Sequence, residues 1–195
     1  MSRFTAILSG ILLAGCSSPW DGPLPQPYQS EEANAALTDL GRGMSRVASF
    51  DAQVLVLSRR DYVQQESDPL SRLSPVDFAV AWGDAARLDV RDKFRIQQPW
   101  RRYSWRYEEP VVRGRGEPEV VGMFRESTAN WHIIPASKAV AMDIEDVDEG
   151  EVVRLRGFLV DVDLGKGKRA RSSRVRTDQG DGACEIFLVE EVRRP

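Results

Sequence analysis

The sequence predicts a β-rich α+β fold in a single domain, and three observations carry that reading. The 195-residue chain is 42% hydrophobic and 29% charged, the balance of a globular body long enough for one domain with a real core. Its apolar residues gather in short, often β-branched runs such as FDAQVLVLS, VDFAVAW, EVVRLRGFLVDV and CEIFLVEEV, lengths that suit strands. Prolines and glycines separate those runs and leave room only for short helices. A small barrel at the C-terminal end is the expected architecture, with an OB-like arrangement one candidate.

Residues 31–40 (EEANAALTDL) read as a short helix, with acids in its first turn and Gly41 and Gly43 after its end. Residues 50–58 form a strand. Pro69 and Pro75 bracket an irregular loop, residues 76–82 form a weakly alternating strand, and residues 84–90 a helical turn or two. Residues 94–97 and 102–107 are further strands, separated by Pro99. The stretch 108–119 (EEPVVRGRGEPE) is loop-like, residues 131–134 a brief strand, and residues 137–142 a short helix after Pro135. Residues 151–162 and 184–192 are the clearest strands, with 169–176 a third between them and Gly165 and Gly167 in a turn.

The start of the chain has a different character. Met1-Ser2-Arg3 is followed by an apolar stretch to Ala14, about half the length that spans a bilayer as a helix. A positive start, a short apolar run and then small residues form the layout of an export signal. Leu13-Ala14-Gly15-Cys16 resembles the lipobox of bacterial lipoproteins. The resemblance implies removal of residues 1–15 and diacylglycerol on the Cys16 thiol, a stable anchor once more than one acyl chain is attached. Ser17, where an aspartate would favour inner-membrane retention in Gram-negative lipoproteins, implies the periplasmic face of the outer membrane. Residues 16–30 then read as the acylated cysteine and a tether stiffened by Pro19, Pro23, Pro25 and Pro27. Residues 31–195 are the single periplasmic domain. With Cys16 acylated, Cys184, the second of two cysteines, has no partner within the chain.

A formal net charge of −3 gives no global attraction for nucleic acid, so no nucleic-acid partner is expected and any basic patch must act locally. Cys184, His132 and Asn130 are the residue types of a thiol nucleophile, base and orienter. The adjacent Glu185 argues against a thiolate, and strand phase puts Cys184 on a face with Ile186 and Leu188, as a small buried hydrophobe would be. The acidic run 143–151 lacks the spacing of a calcium loop and a single histidine makes no zinc site, so no metal or other cofactor is expected. Lys166, Lys168, Arg169, Arg171, Arg174 and Arg176 form a basic cluster. It could meet anionic polymers or lipid phosphates, or simply guard a strand edge. In the stretch WRRYSWRY, alternation sets Tyr103, Trp105 and Tyr107 on one face and Arg102, Ser104 and Arg106 on the other. That aromatic face could bind a ring or a protein, or pack into the core.

Several phrases, Leu57-Ser58-Arg59-Arg60-Asp61-Tyr62, Ser74-Pro75-Val76-Asp77, Ala81-Trp82-Gly83, residues 130–136, Arg171-Ser172-Ser173 and Gly182-Ala183-Cys184-Glu185, together resemble a group of uncharacterised bacterial envelope proteins. The resemblance implies one integrated domain and an envelope setting, and carries no activity. The leading expectation is a non-enzymatic, lipid-anchored domain that binds or scaffolds an envelope protein or anionic polymer. A thiol-dependent hydrolase using Cys184 and His132 is the alternative, and a carrier of lipid or another small ligand the third reading.

Overall fold

The computed structural model describes residues 20–31, 43–63, 68–108, 116–175 and 184–195. In chain order the strands and helices are β1 (Tyr28–Glu31), β2 (Met44–Asp61), β3 (Val76–Ala81), α1 (Leu88–Arg91), β4 (Phe94–Gln97), β5 (Ser104–Tyr107), α2 (Glu117–Glu126), β6 (Thr128–Pro135), α3 (Lys138–Glu145), β7 (Val152–Gly165), β8 (Lys168–Ala170) and β9 (Glu185–Arg193). The domain is β-rich with short helices, as its runs predict. The hydrogen-bonded order β2-β3-β6-β9-β7 closes on itself through a β2–β7 pairing, making a five-stranded barrel. Its pairs are antiparallel except β6 with β9, which are parallel. This is an OB-like arrangement, with α3 bridging the third and fourth staves. The barrel is not confined to the C-terminal end, because β2 and β3 supply two of its staves.

Barrel closure depends on β2, an 18-residue strand too long to stay straight. Residues 44–55 pair with β7 on one edge, and residues 55–61 pair with β3 on the other. Register shifts at Arg46/Ala48 and Val56/Ser58 let it bend between its neighbours. Ala48, Phe50, Ala52, Val54 and Val56 point inward and are buried. Inside the barrel, Phe50 meets Trp131 and Phe187 edge-on at 5.3 and 5.0 Å, and Trp82 stacks on Trp131 at 6.5 Å. These rings fill the axis, a packing that lends the carrier reading no support. At Gly157 the strands come so close that a Cβ would lie 2.0 Å from the Leu188 carbonyl oxygen.

Helix α2 extends beyond the loop expected at 108–119. Pro118 opens it, and Val120 and Phe124, one turn apart, are buried. Phe124 stacks on Phe94 of β4. Helix α3 starts where Ser137 accepts a bond from the Val140 amide and ends on Arg59, whose guanidinium donates to the carbonyls of Ile144, Glu145 and Val147. The strand expected at 169–176 is shorter than its composition suggests. After Ala170 the Ser172 and Ser173 hydroxyls bond to nearby backbone, an alternative to ladder pairing.

The proline-bearing segment is laid down on the domain from Trp20 onward, so the folded unit begins before residue 31. Leu24 is buried and exchanges both backbone bonds with Gly83. The Asp21 carboxylate accepts from the Leu88 amide, and the Trp20 carbonyl accepts from Arg91. Glu31 closes β1. The rest of the helix expected at 31–40 lies outside the described residues, as does the leader with Cys16. Among the described residues, no helix is long and apolar enough to cross a membrane.

Candidate functional site

The polar constellation lies on the outer face of β3, β6 and β9, and strand register assembles it. Asp77 of β3 stands directly opposite His132 of β6, and Ala79 opposite Asn130. Trp131 pairs with Glu185 in the parallel ladder, so Cys184, one residue earlier, comes level with Asn130. Outward-pointing Asp77, Asn130, His132 and Cys184 therefore share one face as cross-strand neighbours. Glu185 points the other way, on the face of Phe187 inside the barrel. The carboxylate that argued against a thiolate is thus turned away from the thiol's face.

Asp77 is wholly buried. Its Oδ1 accepts from Arg101 Nη1 at 2.6 Å and lies 2.9 Å from His132 Nδ1, while its Oδ2 is 3.4 Å from the Asn130 amide nitrogen. A charge this deep requires such partners. Arg101 is fixed in turn by Asp68 Oδ2 at 2.9 Å, by the Ser74 hydroxyl and carbonyl, and by the Tyr62 ring 3.8 Å beneath its guanidinium. Its backbone amide donates to the Tyr62 hydroxyl at 3.0 Å. Burial, reinforced by the Asp77 carboxylate, pushes the Tyr62 phenol up to about 12, so it stays neutral. Trp100 and Arg101 both adopt left-handed backbone, at φ 50° and 64°. Such conformations cost on the order of 1–3 kcal/mol each in non-glycine residues and persist where surrounding structure enforces them.

This clamp bears on the thiol. Cys184 is half-buried, with Sγ 3.8 Å from Asn130 Nδ2 and 4.0 Å from the Arg101 carbonyl oxygen. It is not the sealed hydrophobe that strand phase suggested: Ile186 and Leu188 on its face are buried, but the thiol itself meets the Asn130 amide and the Arg101 carbonyl. His132 is buried, with Nδ1 held by Asp77 and Cys184 close enough to favour its charge. Burial opposes its charge, but the Asp77 bond and the nearby Cys184 outweigh the cost and push its pKa up to about 9. With Nδ1 held by Asp77, Nε2 is the ring nitrogen left for the thiol. The Gln98 amide, 2.7 Å from Asn130 Oδ1, steadies Asn130 from behind.

Of the residues singled out in the sequence, Cys184, His132 and Asn130 come together. Asp77, Arg101, Tyr62 and Gln98 complete the group unforeseen. Asp77 had one signal, a lone charge in the apolar run VDFAVAW. The aromatic row divides as alternation predicts, but Tyr103 and Trp105 turn inward: Trp105 meets Phe94 and Phe124 edge-on, and burial pushes the Tyr103 phenol upward. Trp105 and Tyr107 pack against the core, the alternative reading of that face. Arg102 and Arg106 are exposed, and Arg106 pairs with Glu108. Arg169, Arg171 and Arg174 gather elsewhere, with Ser172 and Asp161, around a cleft of about 430 Å³. Among the described residues, no three His, Cys, Asp or Glu side chains are placed to hold a metal ion.

The fold and site define a five-stranded barrel carrying a Cys–His–Asp constellation on its outer face. No family model, curated protein or solved structure matches the chain.

Proposed function

We propose that the domain is a thiol-dependent hydrolase of acyl substrates, held in the bacterial envelope by the lipid anchor that the lipobox-like start implies. One observation carries the reading: a half-buried Cys184 thiol on the same face as Asn130 and a buried His132, whose Nδ1 is held by the Asp77 carboxylate. This is nucleophile, base and orienter in the order the chemistry uses them.

The residues imply the steps. In the chains whose imidazole is neutral, a share that grows as pH rises toward about 9, His132 Nε2 takes the thiol proton and Cys184 Sγ bonds to the substrate's carbonyl carbon. Asn130 Nδ2, beside Sγ, donates to the oxygen that gains charge. The imidazolium returns its proton to the leaving alcohol, thiol or amine as that bond breaks, leaving an acyl-thioester on Cys184. Water then gives a proton to His132 and its oxygen to the carbonyl carbon, which releases the acid and restores the thiol. Asp77 and Arg101 position His132. Trp100, 82% exposed beside the clamped Arg101, offers a ring on which a substrate can rest.

The test uses p-nitrophenyl acetate as the acyl donor. Wild type should release nitrophenolate with an initial burst and carry an acetyl group on Cys184 by intact mass. Cys184→Ser should abolish both while keeping the wild-type melting temperature, and His132→Gln should slow acylation about 10²-fold. A rate indifferent to His132→Gln would overturn the reading. The non-enzymatic binding reading is favoured by a separate observation, the arginine cleft.

A further inference from the structure

We infer that the cleft beneath β8 is a binding site for a phosphate ester, independent of the thiol centre. Its walls are Arg169 and Arg171 at and just after β8, Ser172 and Arg174 beyond it, and Asp161 of β7. A volume of about 430 Å³ falls in the usual range for small-ligand sites, enough for a phosphate with the sugar or glycerol that carries it.

The convergence of the arginines is the argument. Charges that guard a strand edge project into solvent and diverge. Here three guanidinium-bearing side chains line one concavity, where like charges repel unless an anion enters. Asp161, the one carboxylate among the lining residues, is already engaged. Its Oδ1 accepts from the Ser172 amide at 3.1 Å, and its Oδ2 lies 3.9 Å from Arg174. The floor is fixed: Ser172 is buried, and its hydroxyl accepts from the Ile186 amide at 3.0 Å. Next along the chain, the Ser173 amide donates to the Cys184 carbonyl at 3.0 Å. The arginines thus extend from an anchored segment. Planar guanidinium groups recognise phosphate oxygens in pairs, and net positive lining selects an anion over a neutral sugar.

Two sources share this chemistry, a soluble phosphate ester and a phospholipid headgroup. The full chain is titrated calorimetrically with glycerol 3-phosphate, and its partition onto phosphatidylglycerol vesicles is compared with that onto phosphatidylcholine vesicles, so that any lipid anchor cancels. Saturable binding of glycerol 3-phosphate identifies the soluble source; a preference for phosphatidylglycerol alone identifies the headgroup. In either arm, Arg169→Gln with Arg171→Gln should weaken binding at least about tenfold without changing the melting temperature. Arg102→Gln with Arg106→Gln, just before and within β5 and both exposed, should leave it intact. Absence of binding in both arms overturns the site, as does equal weakening by the two double variants. The nitrophenolate burst of the Arg169/Arg171 variant stays at the wild-type level, which keeps this inference separate from the thiol reading.

Discussion

His132 carries its charge in the folded state against the cost of burial, because Asp77 and Cys184 both favour the imidazolium. Its folded pKa of about 9 lies above the value of about 6.5 for an unfolded histidine. The folded chain therefore binds more protons between those values, and stability must fall as pH rises through them. The contribution is complete below about pH 6.5 and gone above about pH 9, and is worth at most on the order of 3 kcal/mol. Melting temperatures across that window should decline in wild type and decline less in His132→Asn. Equal slopes would mean that the ring is neutral in the fold. Asp77 shows why the sequence hid half of this site. Its partners Arg101 and His132 lie far away along the chain, and no local spacing links a carboxylate in a strand to a guanidinium in the turn between β4 and β5. His132, Asn130 and Cys184 were legible as residue types because they are scarce or chemically distinctive; their proximity follows from the parallel register of β6 and β9.

Among the elements, β7 and β9 were readable because each is an apolar run bounded by turn residues. Helix α2 was not, since its apolar face is narrow and Gly122 interrupts it; its helical state follows from Val120 and Phe124 docking on Phe94 and its neighbours. The two glycines in these elements respond oppositely to substitution. Gly157→Ala would drive a methyl group into the Leu188 carbonyl and should cost about 3 kcal/mol, the upper end of overpacking penalties. Gly122→Ala, with nothing within 4 Å of the new Cβ, should stabilise α2 by about 0.5–1 kcal/mol. Urea midpoints measure both. A tolerated Gly157→Ala would mean that β7 and β9 approach less closely than described.

On the scale of the molecule, the sequence conveyed β-richness, while barrel closure was hidden in the length of β2. An 18-residue strand has to bend, yet only its central run 50–58 stood out as strand. The segment before β1 follows the same rule: its prolines exclude a helix, and the buried Leu24 and Pro27 seat it on the domain. Leu24→Asp buries a charge and should lift the segment off the domain at a cost of about 2–3 kcal/mol. Limited proteolysis should then cut within residues 20–31 while the barrel stays whole. An uncut variant would show that the bonds of Asp21 and Trp20 suffice.

The last stave, β9, lies between β6 and β7, and the thiol sits at its threshold. During synthesis every other stave emerges first, and the Cys184 thiol arrives with the piece that shuts the cylinder. An unfinished chain lacks the register that groups Cys184 with Asn130, His132 and Asp77. The grouping is therefore complete only when folding ends, and the slowing of Cys184 alkylation as the thiol becomes half-buried would time the final event of barrel assembly.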